Sequence, residues 1–344
     1  MPTGAVWRRL AGKLLKQPVP LYGKPGFDMR VVLHADDFGQ SAAVNDGILR
    51  GFDRGLLTST SLLSNAPAAQ QAIAAWRRLA RRQHAGMIAS AISRARLHDE
   101  PAPFDLGVHL NLTQGRPLTG DRYPPQLLDD SGRFPGVLRL FRRLRGQVSA
   151  DVICAVRAEL SAQISLLVDH GLRPTHLNGH QYVEMIPRVA ALVPDLLAKF
   201  DIRVLRVADE PGLTRSTVCQ NGRVGAWLLA LIKRRFARLL RARLESSAAL
   251  SPNQYFGTAH AGRIDARVIA RFLQSARGPG LIEIGMHPAA SPTSSAPGDE
   301  QDGWQDPLAY VRPDELALLE SKELCELLSA RRMKLGRLST LRAA

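Results

Sequence analysis

At 344 residues the chain has room for one large domain or two ordinary ones, and 45% apolar with 22% charged residues excludes a disordered or fibrous chain. The formal charge of +15, from 46 basic and 31 acidic residues, admits a polyanion or an anionic membrane surface as partner. The basic residues are dispersed, however, and no nucleic-acid-binding signature accompanies them, so no nucleic acid partner is expected. Cys154, Cys219 and Cys325 are odd in number and far apart, which argues against a disulfide framework or a cysteine zinc site. Met1–Lys24 carries Arg8, Arg9, Lys13 and Lys16 with no apolar core of signal-peptide length. No apolar run approaches the roughly 18 residues of a spanning helix. The expectation is a cytoplasmic protein, at most peripheral at the inner membrane surface.

In chain order, a basic extension over 1–28 precedes a buried strand at Val31–Ala35 and a helix from Ser41 to Arg54, with Ser41 as N-cap. Thr60–Leu63 reads as a second strand, Ala68–Arg82 as a helix, Gln83–Pro103 as a polar insertion and Leu106–Leu110 as a third strand. Thr113–Pro135, rich in Gly, Pro and Asp, reads as a long loop of the kind that carries function. Helix Ala150–His170, strand Thr175–Leu177, helix Pro187–Lys199 and strand Val204–Val207 follow. After them come a basic helix at Arg223–Leu244, strands Gln254–Phe256 and Leu281–Met286, a Ser/Pro/Gly-rich linker at Ala289–Gly303 and a helix at Pro313–Ala330. Alternating strands and helices predict a mostly parallel sheet covered on both faces, either doubly wound or closed into a barrel. The first strand is not followed by a glycine-rich phosphate loop.

Nearly every predicted strand ends in a polar or metal-binding side chain. Asp36 and Asp37 follow the first, Asn65 the second, His109 and Asn111 the third; His176, Asn178 and His180 surround the fourth, Arg206 ends the fifth and His287 the last. In a parallel barrel these ends meet on one face, where catalytic groups gather. Taken singly, a paired Asp is an ordinary helix cap and a lone His an ordinary buried residue; their coincidence is what points to a site. One carboxylate and two imidazoles can hold a divalent cation with positions left open, and a second carboxylate can take a proton from water. This is hydrolytic chemistry, with His287 placed to protonate a departing amine.

The segments Ala35-Asp36-Asp37-Phe38-Gly39, Leu57-Thr58-Ser59-Thr60, Gly107-Val108-His109-Leu110-Asn111-Leu112-Thr113, Pro174-Thr175-His176-Leu177-Asn178-Gly179-His180-Gln181 and Glu283-Ile284-Gly285-Met286-His287-Pro288 resemble, in order, the YdjC-like carbohydrate deacetylases, which include the chitooligosaccharide and hopanoid-associated deacetylases. The resemblance implies a distorted TIM-like (β/α) barrel over 29–290, with a linker and C-terminal helix over 291–344. It also implies a divalent metal, usually magnesium, and removal of an N-acetyl group from an amino sugar. By the same resemblance Asp37, His109 and His180 are the metal ligands, Asp36 the general base and His287 the late catalytic histidine. His176 then becomes a supporting or substrate contact, and Asn65, Asn111, Asn178 and Arg206 join it as expected substrate-binding residues.

Two features depart from the family pattern. Tyr182 and Glu184 stand where a His-x-His pattern is usual, and Asn178 stands where an Asp is usual. They point to a changed substrate, with a sugar- or membrane-binding homologue of altered catalysis, or a hydrolase of another amide or ester, as alternatives. A lipid-linked sugar and a homodimer both stay open. Arg223–Arg243 sets Trp227, Leu228, Leu231, Ile232, Phe236, Leu239 and Leu240 among seven basic and no acidic residues. Such a helix can lie on an anionic membrane; an apolar stripe packed on the sheet is the simpler expectation.

Overall fold

The computed structural model describes residues 29–54, 56–84, 104–211, 224–245, 247–291 and 304–341. The 1–28 extension, most of the 83–103 insertion, most of the 289–303 linker and Cys219 lie outside them. The sheet is built on β1 (Met29–Phe38), which β7 (Gly280–Met286) flanks from Met29 to Ala35. On its other side β8 (Lys334–Leu335) pairs at Arg30 and Val31, and β2 (Ser59–Leu62) takes over from His34 onward. Next come β3 (Asp105–Leu110), β4 (His176–Gly179) and β5 (Val204–Leu205) on the β2 side, and β6 (Gln254–Phe256) beyond β7. Every pairing is parallel. A bridge from Val204 to Leu250, just ahead of β6, links the two ends of the strand order. The sheet therefore curls into a TIM-like half-barrel, as the resemblance implied.

The helices follow from local signals. Ser41 caps α1 (Ala42–Asp53) by accepting the Val44 N–H at 3.2 Å, and the helix turns Val44, Ile48 and Phe52 inward. It packs beside α2 (Ala69–His84), where Phe52 meets the edge of Trp76 with ring centres 5.5 Å apart. The stretch after the long loop contains a helix that the sequence reading missed, α3 (Val137–Arg145), with Leu140 and Leu144 inward. α4 (Ala150–Asp169) follows it. The expected helix over Pro187–Lys199 is split into α5 (Pro187–Ala190) and α6 (Val193–Lys199), where Pro194 opens a new first turn. After α7 (Val224–Leu244) comes α8 (Ala266–Ser275), also unanticipated and capped by Asp265. The expected C-terminal helix is two helices, α9 (Arg312–Glu320) and α10 (Lys322–Ala330), because Ser321 is extended and caps the second through the Leu324 N–H.

Strand periodicity sorts the two faces of the sheet. Val31, Leu33 and Ala35 of β1 join the main core under the helices. The alternate residue Val32 packs with Val204, Leu281 and Leu338, so the turn at Leu338–Thr340 and these aliphatics fill the N-terminal end of the barrel. Asp105, on β3, accepts the Ser339 N–H at 3.0 Å there. Above that plug the inward positions are polar: His34, Ser59, Ser61, His109, His176, Asn178 and Glu283 are all buried. Gly107 gives the His176 ring its space, since a Cβ at that position would overlap it. A polar barrel interior is the setting of the site.

Candidate metal and catalytic centre

Plain alternation along β1 would send Asp36 and Asp37 to opposite faces. The structure breaks the alternation: between the pairs Ala35 with Thr60 and Phe38 with Leu62, β1 has one residue more than β2. Asp37 is part of the extra length and takes a left-handed conformation with φ of 68°, which Asp tolerates better than most residues. The bulge brings both carboxylates to the site. The segment after β4 also turns through left-handed residues, with Gln181 at φ 53° and Tyr182 at φ 63° directly after His180.

Asp37 Oδ1 lies 3.0 Å from His180 Nδ1 and 3.4 Å from His109 Nε2. One donor atom from each of the three residues falls within 4.8 Å of the others, the spacing of a group able to hold a metal ion. The donor set of two imidazoles and a carboxylate fits a divalent cation. His109 is oriented for this role: its Nδ1 faces Asn178 Oδ1 at 2.9 Å and Ser61 Oγ at 3.3 Å. An Nδ1–H donated to Asn178 leaves the Nε2 lone pair toward Asp37. The other oxygen of Asp37 accepts from Arg312 Nη2 at 2.7 Å. Arg312 also bonds Asp306 and Gln40, is itself buried, and holds Asp37 to one outward-facing oxygen.

Asp36 sits beside this group in a network of its own. Oδ2 accepts from Arg206 Nη1 at 2.7 Å, and Oδ1 accepts from Asn178 Nδ2 at 3.0 Å and faces His34 Nε2 at 3.2 Å. Arg206 is shared, since its Nε and Nη2 reach Glu283 Oε1 at 2.8 and 2.6 Å. Burial alone would raise the Asp36 carboxyl, but Arg206, His109 and His34 outweigh it and hold it well below the carboxylate range. For Asp37 the opposing effect of burial is likewise outweighed, there by Arg312 and His180. His109 moves the other way, because Asp36 and Asp37 overcome the burial that would lower it. Burial pushes His287 down to about 4 and so keeps it neutral near pH 7. Its Nε2 is 3.8 Å from Asp36 Oδ2, and its backbone N–H donates to Glu315 at 2.6 Å.

The structure thus gathers Asp36, Asp37, His109, Asn178, His180, Arg206 and His287 around one centre. Asn65 and Asn111 lie to one side, bonded to each other and to the carbonyl of Gln114, so they brace the start of the long loop. His176 is deeper, with Nδ1 on Thr175 Oγ1 and its ring edge-on to His34. His34, Glu283, Arg312 and Glu315 were missed. For His34 and Glu283 a signal existed in the polar alternation His34-x-Asp36 and Glu283-x-Gly285-x-His287; for Arg312 and Glu315, on a C-terminal helix, there was none. Trp304 was also missed, a buried ring 6.2 Å from that of His180.

Comparison with known proteins finds relatives for the chain. The YdjC-like protein family matches residues 30–330. A carbohydrate deacetylase of Geobacillus stearothermophilus is 34% identical over 179 residues, 52% of this chain and 60% of that protein. A human carbohydrate deacetylase is 34% identical over 187 residues, 54% of this chain and 50% of that protein. The chain thus matches only half to three fifths of the length of these relatives. A solved structure from Enterococcus faecalis V583, of a protein proposed to cleave cellobiose phosphate, superposes with a TM-score of 0.65 over 91% of this chain and 98% of that one. At 22% identity that likeness speaks for the fold alone. From the extent of the family match, the chain belongs to the YdjC-like protein family.

Proposed function

We propose that the protein is a metal-dependent hydrolase that removes an N-acetyl group from an amino sugar in an oligosaccharide or a glycolipid. The observation that carries this reading is the convergence of Asp37, His109 and His180 beside a second carboxylate, Asp36, held ionised by Arg206. The similarity to carbohydrate deacetylases over half of the chain supports it. When bound, the cation supplies Lewis-acid polarisation of the acetyl carbonyl and acidifies water. Asp36, as the ionised carboxylate, accepts a proton from the attacking water. His287, neutral and 3.8 Å away, takes that proton and delivers it to the leaving nitrogen, so that acetate and a free amine result. Arg206, Glu283 and His34 keep Asp36 in place, and Asn178 orients both Asp36 and His109.

By ligand chemistry, two imidazoles suit zinc or another transition metal, whereas the family resemblance implies magnesium; elemental analysis of the purified protein separates the two. Burial pushes Glu184 up to about 8, so a neutral carboxyl stands where the family pattern has a histidine. With Tyr182 this favours a changed sugar over the family's usual substrates. The test is acetate release from a panel of N-acetylated oligosaccharides and lipid-linked amino sugars by metal-loaded protein. Release from at least one of them is expected. Hydrolysis confined to O-acetyl esters or to non-sugar amides would replace this reading, and binding without turnover would reduce the protein to a lectin-like homologue.

A further inference from the structure

The helix α7 carries apolar residues on two faces. Ala230, Ala237, Leu240 and Leu244 are buried and form the expected inner stripe. The opposite face is also apolar: Leu228, Ile232 and Leu239, spaced 4 and 7 residues apart, are 51%, 52% and 51% exposed, with exposed Arg235 on the same side. α7 has six basic residues and no acidic one. Beside it lies α3, joined through Phe141 and Phe236 with ring centres 5.7 Å apart. α3 adds four arginines, no acid, and Leu138 at 59% exposure. Asp209 reaches in to pair with Arg234 at 3.0 Å and lies 3.8 Å from Arg238, leaving Arg235 and the α3 arginines outward.

We propose that the outer faces of α7 and α3 form one surface that docks on an anionic phospholipid bilayer. Aliphatic side chains enter the headgroup boundary while arginines meet lipid phosphates, the division of labour of an interfacial amphipathic helix. The charge pattern selects this occupant. A second copy of the chain would set arginine against arginine across a two-fold contact, and nucleic acid offers nothing to a row of half-exposed Leu and Ile. The helix also adjoins the candidate site, through its inner side: α7 packs on the 180–185 segment that begins with His180, and its Lys233 Nζ lies 4.3 Å from the centre of the Tyr182 ring. A docked protein would therefore meet a sugar displayed on a lipid, a consequence that rests on the deacetylase reading; the docking itself does not.

The full chain is sedimented with vesicles of phosphatidylcholine alone and of phosphatidylcholine with phosphatidylglycerol, at low and high salt. The expected result is binding to the anionic vesicles that fades with salt. It should weaken about tenfold or more in the triple variant Leu228→Ser, Ile232→Ser, Leu239→Ser, and again in Arg235→Glu with Arg142→Glu. These side chains are exposed, so melting temperature and acetate release from a soluble substrate should match those of the parent. No binding to anionic vesicles at low salt, or equal binding by both variants, would overturn the proposal. So would a concentration-dependent dimer, or a nucleic acid complex, that the variants abolish. Vesicle binding is read without substrate; if every sugar proves inert while binding follows the variants, the deacetylase reading fails and the docking stands.

Discussion

Replacing Arg206 by Met tests the electrostatic design of the centre. The guanidinium is 1% exposed and makes three bonds, of 2.7, 2.8 and 2.6 Å, to two carboxylates that are themselves buried. Removing one partner of such a group leaves uncompensated buried charge, a loss of about 3–5 kcal/mol. In a chain of this size that is a fall of roughly 4–7 °C in melting temperature. The pH dependence should change as well. In the parent the Asp36 carboxyl lies below its unfolded value, so its contribution is present above that value and is lost as pH falls through the folded one. Without Arg206, burial is opposed only by the weaker pull of His109 and His34. The folded value then rises toward the unfolded one, and the stability the group contributes at neutral pH shrinks. Melting curves of parent and variant should accordingly converge on acidification through the carboxylate range and separate as pH rises above it. Arg157→Met is the control, since its pair with Asp195 is about half exposed on both sides and a surface pair contributes about 0–1 kcal/mol. An Arg206→Met protein melting within about 2 °C of the parent at neutral pH, or offset equally at every pH, would refute the reasoning.

Asp36→Asn should keep its metal and lose turnover by about 10²-fold or more, whereas Asp37→Asn should lose metal affinity too, as metal stoichiometry and acetate release will show. Asn178→Ala removes the acceptor that orients His109, and isothermal titration should find metal binding weaker by about 10–100-fold. Glu184→Gln should be nearly neutral at pH 5. Because burial holds the folded carboxyl up at about 8, parent stability falls as pH rises from its unfolded value toward that point, so the variant should melt increasingly above the parent toward pH 8.

The parts of the site written into strand ends were legible because a parallel α/β barrel sends those ends to one face, and Asp37, His109 and His180 meet there. What stayed hidden depended on single residues or long range. The bulge that turns Asp37 inward is one left-handed residue, invisible to a period-two reading. Arg312 reaches Asp37 across 275 positions of sequence, and only the packed fold joins them. β8, with two residues, is too short to carry a pattern. α3 did carry one, with Val137, Leu140, Phe141 and Leu144 at helical spacing, but it stayed unassigned between the loop ending at Pro135 and the helix expected from Ala150. The outer stripe of α7 was legible as composition; which residues face outward required the inner stripe to be placed first.

The most direct test of the deacetylase account is a titration of metal-free protein with a divalent cation, following bound metal and acetate release in the same samples. If Asp37, His109 and His180 form the functional centre, activity is absent after exhaustive chelation and rises in proportion to occupancy up to one ion per chain. His180→Ala should then abolish both signals together. Undiminished acetate release from the chelated protein, or activity that does not follow occupancy, would contradict it.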